Sequence, residues 1–330
     1  MDNNNVSLSY FLNISHFDPR GEAQLKMAQS VMGTILNGFV LFILIRMKKF
    51  RFSNVLFILL SASDLVTTSI YLPMSVVNSM FFIWPLGNFM CTLFQMIGNA
   101  QYVVSNQVIL LMTINRLRCF YTLKRDHEKI TRKRIALMAC CWLIPYIYIL
   151  IVMILFINNQ ILDFNSCIPK WSFKFLLIHN VVVNISSGFS SIILNLINIY
   201  NIVKRIRVGQ KIRSKVEPTE ISTNRSNNSS KACPDSVEVT QTTRSNWREL
   251  KAVICILMII LNMLTTEYIF VIIWPIYYAC FQCVGVNLFF AALRMVYFFP
   301  IINPFILFIF NAEFQMESIR IVKRALSIKI

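Results

Sequence analysis

The sequence predicts an all-α integral membrane protein, a bundle of seven spanning helices, and three observations carry that prediction. The chain of 330 residues is 56% apolar and only 14% charged, where a soluble domain has roughly 25% charged residues. Its uncharged stretches are long enough to cross a ~30 Å hydrocarbon core as helices of about 20 residues. Its 32 Lys and Arg outnumber 15 Asp and Glu, a net charge of +17, and the excess gathers in alternate connecting segments, the pattern of positive-inside topology. A mean hydropathy of +0.59 excludes disorder, which needs low hydrophobicity. It also argues against nucleic acid as a partner, because a nucleic-acid-binding domain carries its basic residues on a soluble core.

The elements follow from where charge is missing. An N-terminal segment, 1–26, precedes helix 1 at 27–45, between Lys26 and Arg46. After Arg51 an almost uncharged run, interrupted only by Asp64, reaches Asn115. It is too long for one span and breaks at Trp84-Pro85-Leu86-Gly87-Asn88, where Pro and Gly punctuate the chain. Helices 2 and 3 are therefore placed at 54–79 and 88–115. Helices 4 and 5 fall at 135–157 and 175–203, helix 6 at 252–274 around Glu267, and helix 7 at 287–310 around Arg294. The helical core is thus 27–310, with a long loop at 204–251 and a tail at 311–330. Unbroken runs of Leu, Ile, Phe and Met differ from the alternation of barrel strands, and a helix satisfies its own backbone in lipid.

The loops set the expected orientation. Arg46–Ser53 holds Arg46, Lys48, Lys49 and Arg51 with no acid; Asn115–Arg134 holds eight basic residues against Asp126 and Glu128. Lys204–Lys251 carries eleven basic residues and five acids, and the tail four and two. The other side is nearly neutral, so the N-terminus is expected outside and the tail in the cytoplasm. Met1–Tyr10 lacks the pattern of a cleavable signal, and helix 1 is expected to direct insertion itself. The sequons Asn5-Val6-Ser7 and Asn13-Ile14-Ser15 then face the side where glycosylation occurs. The centre of the long loop is rich in Ser, Thr and Asn, which reads as a solvated linker or a docking surface for a cytoplasmic partner.

Nine cysteines cannot all pair within the chain. Cys91 and Cys167 both face the oxidising side, where a bridge is chemically allowed. Cys280 and Cys283 lack the further ligands a zinc site needs, leaving a small loop disulfide or free thiols. Three charges lie inside spans, and such residues usually mark function. Asp64 is expected in a polar seam with Asn37, Ser105 and Asn303. Glu267 and Arg294 either form an interhelical ion pair or contact a ligand. Pro73, Pro145, Pro300 and Pro304 are expected to kink their spans.

These residues resemble the rhodopsin-like (class A) family of G protein-coupled receptors, over about Gly33 to Arg324. Leu36-Asn37-Gly38 is similar to the family's helix 1 motif, and Leu60-Ser61-Ala62-Ser63-Asp64-Leu65 to its helix 2 signature. Trp84-Pro85-Leu86-Gly87 before Cys91 resembles the first outer loop. Asn115-Arg116-Leu117 is a variant of Asp-Arg-Tyr, and Trp142 fits helix 4. Pro300-x-x-Asn303-Pro304 resembles Asn-Pro-x-x-Tyr, and Phe310-Asn311-Ala312-Glu313-Phe314 opens the family's short amphipathic helix 8.

The resemblance implies a multi-pass plasma-membrane receptor, not an enzyme, passing an extracellular ligand signal to a heterotrimeric G protein. It implies a Cys91–Cys167 disulfide, an Arg116 that contacts the G protein, and a Glu249 that holds Arg116 at rest. It further implies a sodium pocket and switch formed by Asp64, Ser105 and Asn303 with Pro304 and Asn37. Departures are plain: Asn115 replaces an acid, Leu307 replaces Tyr, Gly188 lies near the missing proline of helix 5, and helix 6 lacks Cys-Trp-x-Pro. Counted without gaps, Glu267 falls at the place of the switch tryptophan. The alternative reading is a divergent seven-helix protein with lost or constitutive signalling, acting as scaffold or ligand sink.

For the ligand, the nearest flavours are biogenic-amine and small-peptide receptors. The acid that amine receptors use in helix 3 is here Gly98, followed by Asn99. Glu267 is then the candidate counter-charge, with aromatic Tyr102, Tyr268, Phe270 and Tyr297 as candidate cation–π walls and Arg294 as a candidate carboxylate receiver. Tyr297 stands at the retinal lysine's place, so no Schiff base and no retinal cofactor are expected.

Overall fold

The computed structural model describes residues 18–47, 51–81, 84–122, 131–158, 162–163, 167–169, 186–216, 250–280 and 285–327. Helix α1 spans Pro19–Arg46, starting well before the expected position 27. Asp18 caps it, accepting a hydrogen bond from the Arg20 amide at 3.0 Å, with Pro19 at the first helical position. That pairing suits a helix start, since Pro lacks an amide the first turn would leave orphaned anyway.

Helix α2 spans Phe52–Met80 and contains a π-helical turn, Thr67–Tyr71, just before Pro73. Helix α3 spans Gly87–Thr122 and runs past the expected end at 115. Gly87 begins it at φ +76°, a conformation that costs glycine nothing, and its carbonyl accepts from Trp84 Nε1 at 2.9 Å. Helix α4 spans Arg132–Asn158 with Pro145 inside it. A two-residue antiparallel pair, Leu162–Asp163 with Ile168–Pro169, flanks Cys167. Helix α5 is described over Ser186–Val216, and α6 over Leu250–Tyr277 with a π turn at Leu264–Tyr268.

Helix α7 consists of Val286–Val296 and Phe299–Phe310, bent by 45° at the intervening turn. There Tyr297 and Phe298 donate to the carbonyls three residues back, at Arg294 and Met295. The cause is Pro300, which has no amide to offer the Val296 carbonyl and crowds it sterically. Helix α8 spans Ala312–Ser327, tied to the start of α2 by Arg51 and Glu313 at 2.5 Å.

Among the described residues, α1, α2, α4 and α6 are each long and apolar enough to cross a membrane, as is the bent α7 taken as one span. This is a multi-pass membrane protein. The principal core lies between α1, α2, α3 and α6, around Ile43, Leu56, Leu60, Ile109, Ile256 and Ile259. Around it the lipid-facing sides show scattered exposed Leu, Ile and Phe, as the bilayer requires.

Candidate functional site

Deep in the bundle a chain of amides links three helices. Asn303 of α7 donates from Nδ2 to Asp64 Oδ2 of α2 at 2.9 Å. Asn262 of α6 donates from Nδ2 to Asn303 Oδ1 at 3.0 Å and to the Phe299 carbonyl at 3.1 Å. Asp64, Asn262 and Asn303 are all buried, so each bond is made away from water, where a broken partner is costly. Asn262 carries one signal in the sequence, its polarity in a mostly apolar span.

The expected polar seam is divided. Asn37 donates to the carbonyls of Gly33 at 2.9 Å and Pro300 at 2.8 Å, bracing the bend of α7 rather than reaching Asp64. No hydrogen bond joins Ser105 to Asp64 among the described residues. Ser105 does follow Gln101 by one turn of α3, on the same face. Gln101 accepts from Ser63, the neighbour of Asp64, and donates from Nε2 to the Tyr146 hydroxyl at 2.5 Å. A second polar chain, Ser63–Gln101–Tyr146, therefore crosses α2, α3 and α4.

Glu267 lies within the π turn of α6, 6% exposed, and its Oε2 has no hydrogen-bond partner. It is within electrostatic reach of Tyr102 and Asp64. Arg294 does not pair with it. Arg294 Nε instead holds Glu22 Oε2 of α1 at 2.7 Å, so of the two alternatives for these charges the Glu267–Arg294 ion pair is not formed. The extension of α1 back to Pro19 is the reason: it brings a nearer acid to the outer turn of α7. Lys26 stands one turn along from Glu22, at 3.6 Å, donates to Ser79 Oγ of α2 at 2.7 Å, and lies 5.6 Å over the Tyr297 ring.

The aromatic candidates fall into neighbouring groups. Tyr102 and Phe270 flank a cluster of Leu72, Val296 and Tyr297. Phe270 also packs on Trp274 at 5.1 Å and Phe289 at 6.0 Å, and Tyr297 Oη is 3.4 Å from Ser75 Oγ. Tyr268 points elsewhere, donating to Asn106 Oδ1 at 3.5 Å and resting against Gly188, where a built Cβ would lie 1.8 Å from its hydroxyl.

Gly98 explains its own lack of a side chain. A Cβ there would be 2.5 Å from Tyr71 Cε2, and Tyr71 stacks on Phe94 at 4.8 Å. The Tyr71 ring thus fills the space a side chain at position 98 would need. Asn99 turns its Nδ2 back to the Gln95 carbonyl at 2.7 Å.

Cys91 and Cys167 form a disulfide, Cα atoms 5.5 Å apart, packed with Trp84 and Phe94; Gln95 Nε2 donates to the Cys167 carbonyl at 2.6 Å. Cys280 is also disulfide-bonded, while Cys283 lies outside the described residues. At the other end of α3, Arg116 is within electrostatic reach of Cys255 on α6. Asn115 is buried with no hydrogen-bond partner for its Nδ2. Asn5, Asn13 and Glu249 lie outside the described residues.

This arrangement, a bent seventh helix joined by amides to an acid on the second and with a disulfide tying the third to a loop, is that of a seven-helix receptor. The family described as 7 transmembrane receptor (rhodopsin family) matches residues 36–307, and the chain belongs to it. It is a family of receptors, not enzymes. A crystal structure of squid rhodopsin has a similar fold, with TM-score 0.69 and 14% identity over 94% of this chain and 87% of that chain. No curated protein matches the sequence.

Proposed function

We propose that the chain is a G protein-coupled receptor of the plasma membrane, with the start of α1 outside and α8 in the cytoplasm. In this reading a small-molecule or peptide ligand binds near Tyr102, Glu267, Phe270, Arg294 and Tyr297. The signal passes to a heterotrimeric G protein at Arg116, with Glu249 as the resting partner of that arginine. The observation that carries the reading is the Asp64–Asn303–Asn262 chain. It couples α6, the helix that must move, to α2 and to the bend in α7, so a ligand that shifts α7 shifts the equilibrium of α6.

The residues also suit the family's sodium ion. Asp64, Ser105 and Asn303 offer carboxylate, hydroxyl and amide oxygens, the donor set of a hard cation, and the ion would neutralise a carboxylate that the neutral Asn303 amide meets at 2.9 Å. The positive-inside asymmetry of the loops supports the orientation.

The test is a second-messenger assay in cells expressing the wild type and Arg116→Ala at matched surface levels. Coupling predicts output above mock-transfected cells that Arg116→Ala removes. Equal output from the two, with both at the surface, would sink the coupling and favour the scaffold or ligand-sink reading, to which Asn115 and Leu307 in place of the family's acid and Tyr lend weight.

A further inference from the structure

Helices α6 and α7 are each broken once, and the two breaks lie side by side. In α6 the wide turn Leu264–Tyr268 interrupts the regular hydrogen-bond ladder. In α7 the 45° bend falls at Tyr297 and Phe298. Helices bend where that ladder is interrupted. Asn262, just before the wide turn, donates to the carbonyl of Phe299, just after the bend, at 3.1 Å, which sets the two breaks at one depth. Each helix therefore has an inner half in the principal core and an outer half, Ile269–Ala279 in α6 and Val286–Val296 in α7.

The outer halves are fastened to each other. Phe270, Trp274 and Tyr277 recur at helical spacing on one face of α6, and all three meet Phe289 of α7, with ring centres 6.0, 5.6 and 4.2 Å away. Tyr277 and Phe289 are buried and stacked, their planes within 17° of parallel; ring pairs add to the attraction of simple burial. Among the described residues each outer half packs chiefly on the other and on the wide turn, whereas the inner half of α7 packs along α1 and α2. The further contacts of the outer halves are individual side chains: Trp274 beside the Ala100–Ile149 cluster, Val296 beside Leu72, and Arg294 on Glu22 at 2.7 Å.

We propose that the outer halves of α6 and α7 form one rigid body, pinned by Phe289, that pivots on the two aligned breaks. Phe289 is its positioning residue. A push on either helix from outside then moves both, and it reaches the inner halves through two breaks rather than one. This goes beyond the receptor reading, because the motion belongs to the bundle and can be read with no G protein present.

The test is hydrogen exchange read by mass spectrometry on the purified full-length protein in detergent, which reports local opening segment by segment. In the wild type, segments 269–279 and 286–296 should share one level of protection, below that of 250–263 and 299–310. Ala291→Gly changes an exposed residue of α7 and should raise the local opening of its helix roughly fivefold. In one rigid body, 269–279 speeds up by the same factor as 286–296. With Phe289→Ala as background the pin is gone, and Ala291→Gly should act on 286–296 alone; Phe289→Leu, which keeps bulk without a ring, takes its place where Phe289→Ala does not fold. The proposal is overturned if 269–279 exchanges in step with 250–263 as one continuous helix. It is equally overturned if Ala291→Gly speeds 286–296 alone or neither segment, or if the shared response survives loss of the Phe289 ring. A shared response together with equal second-messenger output from wild type and Arg116→Ala supports the rigid body and counts against the coupling reading.

Discussion

Gly188→Ala is the perturbation whose effect can be worked most directly from the structure. Gly188 of α5 is buried, and a Cβ built on it would sit 1.8 Å from Tyr268 Oη, 2.4 Å from Cζ and 3.1 Å from Cε1. The obstruction is a ring, not the loose end of a flexible chain, and Tyr268 is itself 6% exposed. Something must move, either α5 away from α6 or the ring out of reach of Asn106. Overpacking of this kind costs about 1–3 kcal/mol, and losing the Tyr268–Asn106 bond in a buried setting adds on the order of 1 kcal/mol. The measurement is the melting temperature of the detergent-solubilised protein, which should fall by several degrees. Second-site changes sharpen the test. Tyr268→Phe removes the hydroxyl but leaves Cζ at 2.4 Å, so it should rescue poorly. Tyr268→Leu removes the ring and should recover much of the loss, a coupling of about 0.5–3 kcal/mol. Wild-type melting of Gly188→Ala, or rescue by Phe as complete as by Leu, would refute the reasoning.

Three further outcomes are expected. Asn303→Ala leaves Asp64 Oδ2 without the donor it has at 2.9 Å, an orphaned buried group that costs about 1–3 kcal/mol, while Asn262 Nδ2 keeps the Phe299 carbonyl; melting and surface expression should both drop, and Asn303→Asp, which sets a carboxylate against Asp64, should drop them further. Cys167→Ser opens the link to Cys91 and should cost about 2–5 kcal/mol, with the variant no longer sensitive to reductant at that bridge by mass-shift labelling. Asn115→Asp restores the acid that usually neighbours the arginine and should lower ligand-free second-messenger output; an unchanged basal level at equal expression would remove Asn115 as the cause of any constitutive signal.

The bundle was legible because lipid leaves its mark on every residue of a span: charge is missing for twenty positions at a time. The same criterion hid the start of α1. Asp18, Arg20, Glu22 and Lys26 interrupt the uncharged run, so charge-free length alone begins the helix after them, although Asp18-Pro19 is a helix-start signal in its own right. With that turn went Glu22, and with Glu22 the partner of Arg294, 272 residues away. No local pattern announces such a pair; it exists only once α1 and α7 are side by side. Gly98 was legible as an absence, but the reason for it, the Tyr71 ring, comes from a different helix. Asp64 and Asn303 could be singled out because a polar residue in a span is conspicuous. Their join through Asn262 rather than Ser105 is a matter of helix rotation that composition does not record.

Two of the helices also change register along their own length. Both π turns, Thr67–Tyr71 in α2 and Leu264–Tyr268 in α6, admit an extra residue into one turn, so every side chain beyond them is displaced by about 100° from a simple count at 3.6 residues per turn. Each is lined by hydroxyls that take carbonyls the wider turn disturbs. Thr67 and Thr68 donate to the carbonyls of Ser63 at 3.2 Å and Asp64 at 2.9 Å, and Thr265 and Thr266 to those of Leu261 at 3.0 Å and Asn262 at 2.6 Å. Such local bonds bend helices and keep a broken ladder tolerable in lipid. In α6 this turn contains a buried acid, Glu267. It also means that Glu267 cannot inherit the orientation of the tryptophan whose place it takes by counting. The residues that the two wide turns deliver to the bundle interior, Tyr71 over Gly98 and Tyr268 against Gly188, are therefore matched by a glycine on the facing helix, because only there does the displaced ring find room.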